Sequence, residues 1–167
     1  MNESERTELF LGVLNARKGI VYKIANSYCR NSSYRNDLVQ EIILQLWKAF
    51  PTYDSQFEPG TWMYRIALNV AISFYRKDKK VTGTQLNDEL LQFVADEQPD
   101  ENEANVQLLY KFIGELDELN KALMLLYLDD KSQKQMAEIL GITETNVATK
   151  IGRIKEKLRE KFKLANQ

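Results

Sequence analysis

The 167-residue chain reads as an all-α protein: two small helical domains joined by an acidic linker, the C-terminal one a helix-turn-helix. Three observations predict this. Apolar residues recur at steps of three and four in both halves. Capping residues and a glycine punctuate the C-terminal part at helical intervals. Charge is segregated: residues 1–80 hold 12 Lys+Arg against 8 Asp+Glu, residues 81–110 none against 7, and residues 111–167 hold 11 against 9. The net charge of -1 hides the basic parts, and local charge is what attracts phosphate.

In the first half, Leu9, Phe10, Val13, Leu14, Ile20, Val21, Ile24 and Tyr28 keep to helical spacing. Gly12 and Gly19 each cost about 1 kcal/mol there relative to alanine. A second helix is expected from about Asp37 to Phe50, because an acidic residue suits the positive end of the helix dipole and Pro51 closes the far end. Leu38, Ile42 and Leu46 mark one apolar line and Val39, Ile43, Trp47 and Phe50 another, so this helix is buried over a wide arc. Asp37, Gln40, Glu41 and Gln45 form the remaining face, which by itself passes as solvated surface.

After a loop from Tyr53 to Gly60, a third helix is expected to start with Thr61 as N-cap and to reach Lys80. Trp62, Ile66, Val70 and Phe74 are spaced to pack inward. That leaves Tyr64, Arg65, Asn69, Tyr75, Arg76, Lys77, Lys79 and Lys80 as an aromatic and basic mixture. Cations at a helix C-terminus are favoured by the dipole alone. Rings interleaved with Lys and Arg also suit a single-strand binder, in which bases stack on rings while cations follow the backbone. Composition does not decide between the two.

Residues 81–103 include Gly83, Pro99, Asp88, Glu89, Asp96, Glu97, Asp100, Glu101 and Glu103, a composition that cannot bury a core. This segment is read as a linker; its short apolar patch, Leu86, Leu90, Leu91, Phe93 and Val94, either docks transiently elsewhere or, as a lone patch in a linker more often does, packs as one turn on its own domain. The domains are therefore 1–80 and 104–167, with 81–103 between them.

In the second domain, Ser132 is an N-cap and Gln135 can reach back to complete a capping box. Met136, Ala137, Ile139 and Leu140 give that helix an apolar face, and Gly141 can take the left-handed conformation that ends it. Thr143 caps the next helix, along which Val147, Ile151, Ile154, Leu158 and Phe162 form one continuous stripe. Opposite lie Asn146, Thr149, Lys150 and Arg153, residue types that reach base edges or phosphates in a major groove. From Thr145 to Lys163 the basic residues are Lys150, Arg153, Lys155, Lys157, Arg159, Lys161 and Lys163, opposed only by Glu156 and Glu160. A Lys-rich amphipathic hairpin is also ordinary soluble surface, but cap, small residue, glycine and stripe all fall in helix-turn-helix register.

Several functions are disfavoured. No uninterrupted apolar segment is long enough to span a bilayer and the start, Met-Asn-Glu-Ser-Glu, is acidic, so a cytoplasmic protein without membrane insertion is expected. Cys29 is the single cysteine, which rules out an internal disulfide. Histidine is absent. With the commonest general base and zinc ligand missing, no catalytic, metal or cofactor site is expected, and a recombinase-type enzyme lacks a recognisable nucleophile and its supporting groups.

The order of the pieces carries a resemblance. Asp-Leu-Val-Gln-Glu-Ile-Ile-Leu-Gln-Leu-Trp (Asp37 to Trp47), then Thr-Trp-Met-Tyr-Arg-Ile-Ala-Leu-Asn-Val-Ala (Thr61 to Ala71), an acidic linker and a C-terminal helix-turn-helix resemble the bacterial sigma factors of the extracytoplasmic-function group over nearly the whole chain. The resemblance implies a first domain that binds core RNA polymerase and opens the -10 promoter element, and a second that reads the -35 element as duplex. Asp37, Gln40, Glu41 and Gln45 then match the polymerase contact. Phe57, Trp62, Tyr64, Arg65, Asn69, Arg76, Lys77 and Lys80 match the -10 DNA surface, the Asp54 to Gly60 loop capturing a base flipped from the non-template strand. Lys134, Thr145, Asn146, Thr149, Lys150 and Arg153 match the -35 surface. The linker matches the connector that occupies the polymerase's nucleic-acid channel, and an anti-sigma protein is a further partner that the group admits.

The chain also departs from the pattern. Pro59 and Gly60 stand where the family commonly has an apolar or aromatic residue and its neighbour, which leaves Phe57 to supply a ring. Ala148 stands where many members carry Arg, and Gly152 interrupts the recognition helix, so the -35 preference is expected to differ from that of better-known members. The rival reading, a stand-alone helix-turn-helix regulator that needs no polymerase, leaves the Trp62 to Lys80 helix and the polar face of the second helix without a role.

Overall fold

The computed structural model describes residues 2–29, 32–76 and 104–166. Backbone contacts divide the chain into two compact units, Met1–Asp100 and Glu101–Gln167, and each is described by itself. The linker segment, Lys77 and Lys80 lie outside the described residues. Every regular element among the described residues is helical.

The first unit holds α1 (Glu3–Ala16), α2 (Lys18–Tyr28), α3 (Ser32–Ala49), a 3-10 turn at Phe50–Thr52, and α4 (Pro59–Arg76). Helix α1 opens on a capping box: Asn2 accepts from the Glu5 N–H at 2.8 Å, and Glu5 accepts from the Asn2 N–H at 3.3 Å. The apolar run from Leu9 to Tyr28 is two helices rather than one. Arg17 breaks it with φ -138° and ψ 29°, its N–H donating to Leu14 O at 3.1 Å and its own carbonyl accepting from Ile20 at 3.1 Å. Phe10 and Leu14 of α1 and Ile20, Val21 and Ile24 of α2 are all buried across this break.

Helices α2, α3 and α4 pack mutually. Helix α3 begins at Ser32, earlier than the dipole argument placed it, and Pro51 closes it as expected. It is buried on nearly all sides, through Leu38, Val39, Ile42, Ile43, Leu44 and Leu46. Helix α4 differs from expectation twice. It starts at Pro59, whose fixed φ and missing N–H suit a first helical position, and Glu58 rather than Thr61 caps it. Its buried face is Met63, Tyr64, Ala67, Leu68, Val70 and Ala71. Of the residues spaced to pack inward, Val70 alone is buried, while Trp62, Ile66 and Phe74 are half-buried. The small side chains of Ala67 and Ala71 on the buried face allow close approach by neighbouring helices, which turns this face inward.

The second unit holds α5 (Ala104–Gly114), α6 (Glu118–Leu128), α7 (Gln133–Leu140) and α8 (Glu144–Ala165). Asp117 caps α6 through the Asn120 N–H at 2.9 Å. Between α6 and α7, Asp130 takes φ 57°, a conformation that Asp tolerates better than most residues. The core joins Leu123, Leu125 and Leu126 to Met136, Ile139, Val147, Ile151, Ile154 and Leu158. Phe162 extends the stripe, meeting Phe112 edge to face with ring centres 5.1 Å apart.

Candidate nucleic-acid interface

In the second unit the local hydrogen bonds follow the predicted pattern. Ser132 and Gln135 form the capping box, Gly141 ends α7 at φ 71°, and Thr143 accepts from the Asn146 N–H at 3.0 Å to start α8. These bonds set α8 across α7, with Val147 and Ile151 in the core. Thr145, Asn146, Thr149 and Arg153 are exposed and Lys150 is half-buried, so all five lie on the arc turned away from the core. Lys134 is exposed on α7. Ala148 and Gly152 are exposed as well, and a Cβ built on Gly152 meets no atom within 4 Å, so no packing inside the protein calls for that glycine.

The basic residues of α8 divide by their neighbours. Lys155 Nζ stands 4.2 Å over the Tyr127 ring, Lys161 pairs with Glu115 at 2.6 Å, and Arg159 lies 3.5 Å from Glu156. The first two hold α8 against the rest of its unit. Lys150, Arg153 and Lys157 form no ion pair among the described residues, so their charge is available to a phosphate.

In the first unit an aromatic chain runs from α1 to the loop before α4. Phe10 meets Trp47 and Phe50 edge to face at 5.4 and 5.3 Å, Phe50 stacks on Tyr53 at 6.3 Å, and Tyr53 lies 4.7 Å from Trp62. Arg6 covers the far end, 3.9 Å over the Trp47 ring, with Nη2 donating to Trp47 O at 2.6 Å. Partial burial pushes the Tyr53 phenol above its usual range, with the charge of Arg17 acting the other way.

The loop itself is closed by its own hydrogen bonds. Asp54 accepts from the Gln56 N–H at 2.9 Å through its side chain and from the Phe57 N–H at 3.0 Å through its carbonyl; the Tyr53 hydroxyl donates to Phe57 O at 2.9 Å. Phe57 has its backbone held at both ends and its side chain 69% exposed. Glu58 folds back to accept from the N–H groups of Gly60 and Thr61, at 2.9 and 2.8 Å, and from the Thr61 hydroxyl at 2.8 Å, while Arg17 Nε lies 3.3 Å from Glu58 Oε1.

Trp62, Arg65 and Asn69 share one face of α4 by their spacing, Trp62 half-buried and the other two exposed, and Phe57 is exposed in the loop before it. Tyr64 is a correction to the sequence reading: it is fully buried in the core and offers no ring to a ligand. Arg76 is the last residue of α4. On α3, Asp37 is exposed and Gln40 and Gln45 are half-buried. Glu41 is also corrected, since it is only 7% exposed and accepts from Gln45 Nε2 at 3.0 Å. The solvated part of that face is therefore narrower than the sequence suggested. Arg17, Tyr53 and Glu58 were missed. A glutamate directly before Pro-Gly at a helix start was a legible cap signal; nothing local signalled its pairing with Arg17.

Two sequence families match the chain in order: "Sigma-70 region 2" over residues 13–81 and "Sigma-70, region 4" over residues 107–158. The ECF RNA polymerase sigma factor SigW of Bacillus subtilis is 27% identical over 168 residues, covering 93% of this chain and 90% of SigW. The RNA polymerase sigma factor SigV of the same organism is 27% identical over 161 residues, covering 95% of each. Among solved structures, the sigma factor RpoE in complex with the anti-sigma factor NepR from Bartonella quintana has a similar fold, with a TM-score of 0.68 at 19% identity, over 94% of this chain and 96% of that one.

Proposed function

The chain belongs to the sigma-70 family, in its extracytoplasmic-function group, and from that premise we propose how its two units divide the work of an alternative sigma factor that directs RNA polymerase to specific promoters. Residues 104–167 read the -35 element as duplex, and residues 1–80 bind core polymerase and hold the melted -10 strand. The observation that carries this reading is the arc of α8 formed by Thr145, Asn146, Thr149, Lys150 and Arg153. It is turned from the core of a capped helix-turn-helix and combines base-reading side chains with cations that form no ion pair among the described residues.

In the first unit, Phe57, Trp62, Arg65 and Asn69 contact the -10 strand, and the cations that follow in sequence, Arg76, Lys77 and Lys80, add charge for its backbone. Unstacking a base costs a few kcal/mol, which stacking on a ring and cation contacts to the backbone offset. Phe57 is the exposed ring among these residues. Asp37, Gln40 and Gln45, rather than Glu41, make the polymerase contact. The acidic residues of 81–103 lie along the polymerase's nucleic-acid channel in place of phosphate. The factor performs no covalent chemistry, works by binding energy in the cytoplasm, and is held inactive by an anti-sigma protein, as its neighbour's pairing with NepR suggests.

The test is to mix the full chain with core polymerase and promoter DNA from its own genome and to measure transcript initiation. Initiation from defined start sites is expected. Binding of the same DNA without polymerase, and no initiation with active core, would replace this reading with a stand-alone regulator.

A further inference from the structure

Glu58 does more than cap a helix. Its carboxylate occupies the space beside Gly60 where any other residue would place a side chain. A Cβ at Gly60 would lie 2.7 Å from Glu58 Oε1, 3.1 Å from Glu58 Oε2 and 3.3 Å from Arg17 Nε, the first closer than real Cβ atoms approach. Gly60 therefore admits a packed pair, the Glu58 carboxylate and the Arg17 guanidinium, which a larger residue would push apart. Arg17 reaches this place because the chain breaks between α1 and α2 at that residue.

We propose that Arg17, through Glu58 and the room left by Gly60, is a positioning residue for strand capture, locking the loop of residues 54–58 so that Phe57 stands clear of the surface as a ready stacking platform. The inference rests on the reading of this loop as the -10 strand contact. Phe57 is fixed by bonds at Asp54 and Tyr53 on one side and by the anchored Glu58 on the other. Of these anchors, the Glu58–Arg17 pair reaches the junction between α1 and α2, joining that turn to Glu58 at the end of the loop. A loop already in its binding geometry loses less conformational entropy when a base docks, so the pair acts on strand binding more than on stability. With both side chains more than a third exposed, at 37% and 42%, the direct pairing is modest. Its effect on opening is accordingly a few-fold, at most about fivefold.

The experiment uses the full chain with core polymerase on a promoter from its own genome. Permanganate reactivity of thymines in the -10 region reports opening, and separate titrations report binding to core and to a -35 duplex. The variants are Phe57→Ala, Arg17→Ala, Gly60→Ala, Arg17→Lys and the double variant Arg17→Ala with Phe57→Ala. Gly60→Ala displaces the carboxylate without removing either charge, and the helix preference for alanine counters the lost cap.

The expected result is that Phe57→Ala lowers opening, that Arg17→Ala and Gly60→Ala each lower it about two- to fivefold, and that core and -35 binding are unchanged. Arg17→Ala adds nothing once Phe57 is gone, and Arg17→Lys restores most of the loss. If Phe57→Ala lowers opening but Arg17→Ala and Gly60→Ala open like the parent, the positioning role is overturned while the strand-capture reading stands. If Arg17→Ala lowers opening equally with and without Phe57, Arg17 acts on DNA directly and the proposal fails. If Phe57→Ala opens like the parent, the strand-capture reading falls and takes this inference with it.

Discussion

Ser132 and Gln135 hold each other by reciprocal hydrogen bonds: Ser132 Oγ accepts from the Gln135 N–H at 3.1 Å, and Gln135 Oε1 accepts from the Ser132 N–H at 2.9 Å. The pair starts α7, against which the recognition helix is set. Ser132→Ala removes one bond and frees its partner, so the second unit should lose about 1 kcal/mol of stability. Urea denaturation of the parent and variant chains measures this, and an unchanged midpoint would show that the cap carries no weight.

Lys150 and Arg153 lie on the outer arc of α8 and form no ion pair among the described residues. Replacing either by alanine should weaken binding to a -35 duplex. A residue that touches phosphate lowers the slope of log K against log salt by about 1 for every sequence alike, whereas one that reads a base relaxes preference at a single position by about 1–3 kcal/mol. Titrations at several salt concentrations on a set of single-base variants separate the two. Unchanged affinity for both variants would remove this arc from the promoter contact.

Gly152 stands in the interior of α8 with open space where a Cβ would go. Gly152→Ala should therefore raise stability by up to about 1 kcal/mol. The same change should reduce -35 affinity, because a methyl group on the exposed arc holds the backbone off the DNA. Thermal melting and duplex titration of one variant test both halves, and a gain in stability with affinity unaltered would leave the glycine without a role in recognition.

On α3, Asp37 is exposed but Glu41 is buried against Gln45. Asp37→Ala with Gln40→Ala should weaken binding to core polymerase and leave the melting curve near that of the parent. Glu41→Ala should instead destabilise the first unit by about 1–3 kcal/mol, because it removes a buried carboxylate together with its hydrogen bond from the half-buried Gln45 amide. Undiminished polymerase binding by the Asp37 and Gln40 double variant would exclude that surface.

Two aromatic residues of the loop and α4 should separate cleanly. Tyr64→Ala empties a fully buried site and should cost about 3–5 kcal/mol, while Phe57→Ala, at an exposed position, should stay within about 0.5 kcal/mol of the parent. Denaturation midpoints decide, and a large loss from Phe57→Ala would mean that the ring is packed rather than presented.

The helix-turn-helix was legible because each of its signals is local. A cap, its return bond, a left-handed glycine and the next cap all act within one helical turn, so residue types and short spacings are enough to locate them. The buried stripe from Val147 to Leu158 was legible for the same reason, since one strong apolar line met no competitor. Helix α4 was harder. Several lines along it are apolar enough to be buried, and the line containing Tyr64, Ala67 and Ala71 prevailed over the one begun by Trp62.

By itself, then, the sequence determined an all-helical chain, the recognition helix and its exposed polar arc, and the order of motifs that places it among the sigma factors. Tertiary structure decided which face of α4 turns inward, that Glu41 is covered, that the first helical run breaks at Arg17, and that Arg17 meets Glu58. The physical reason is one of range. Capping and periodicity are satisfied among neighbours along the chain, whereas the choice among competing apolar faces, and the meeting of charges from distant segments, depends on how separate helices pack.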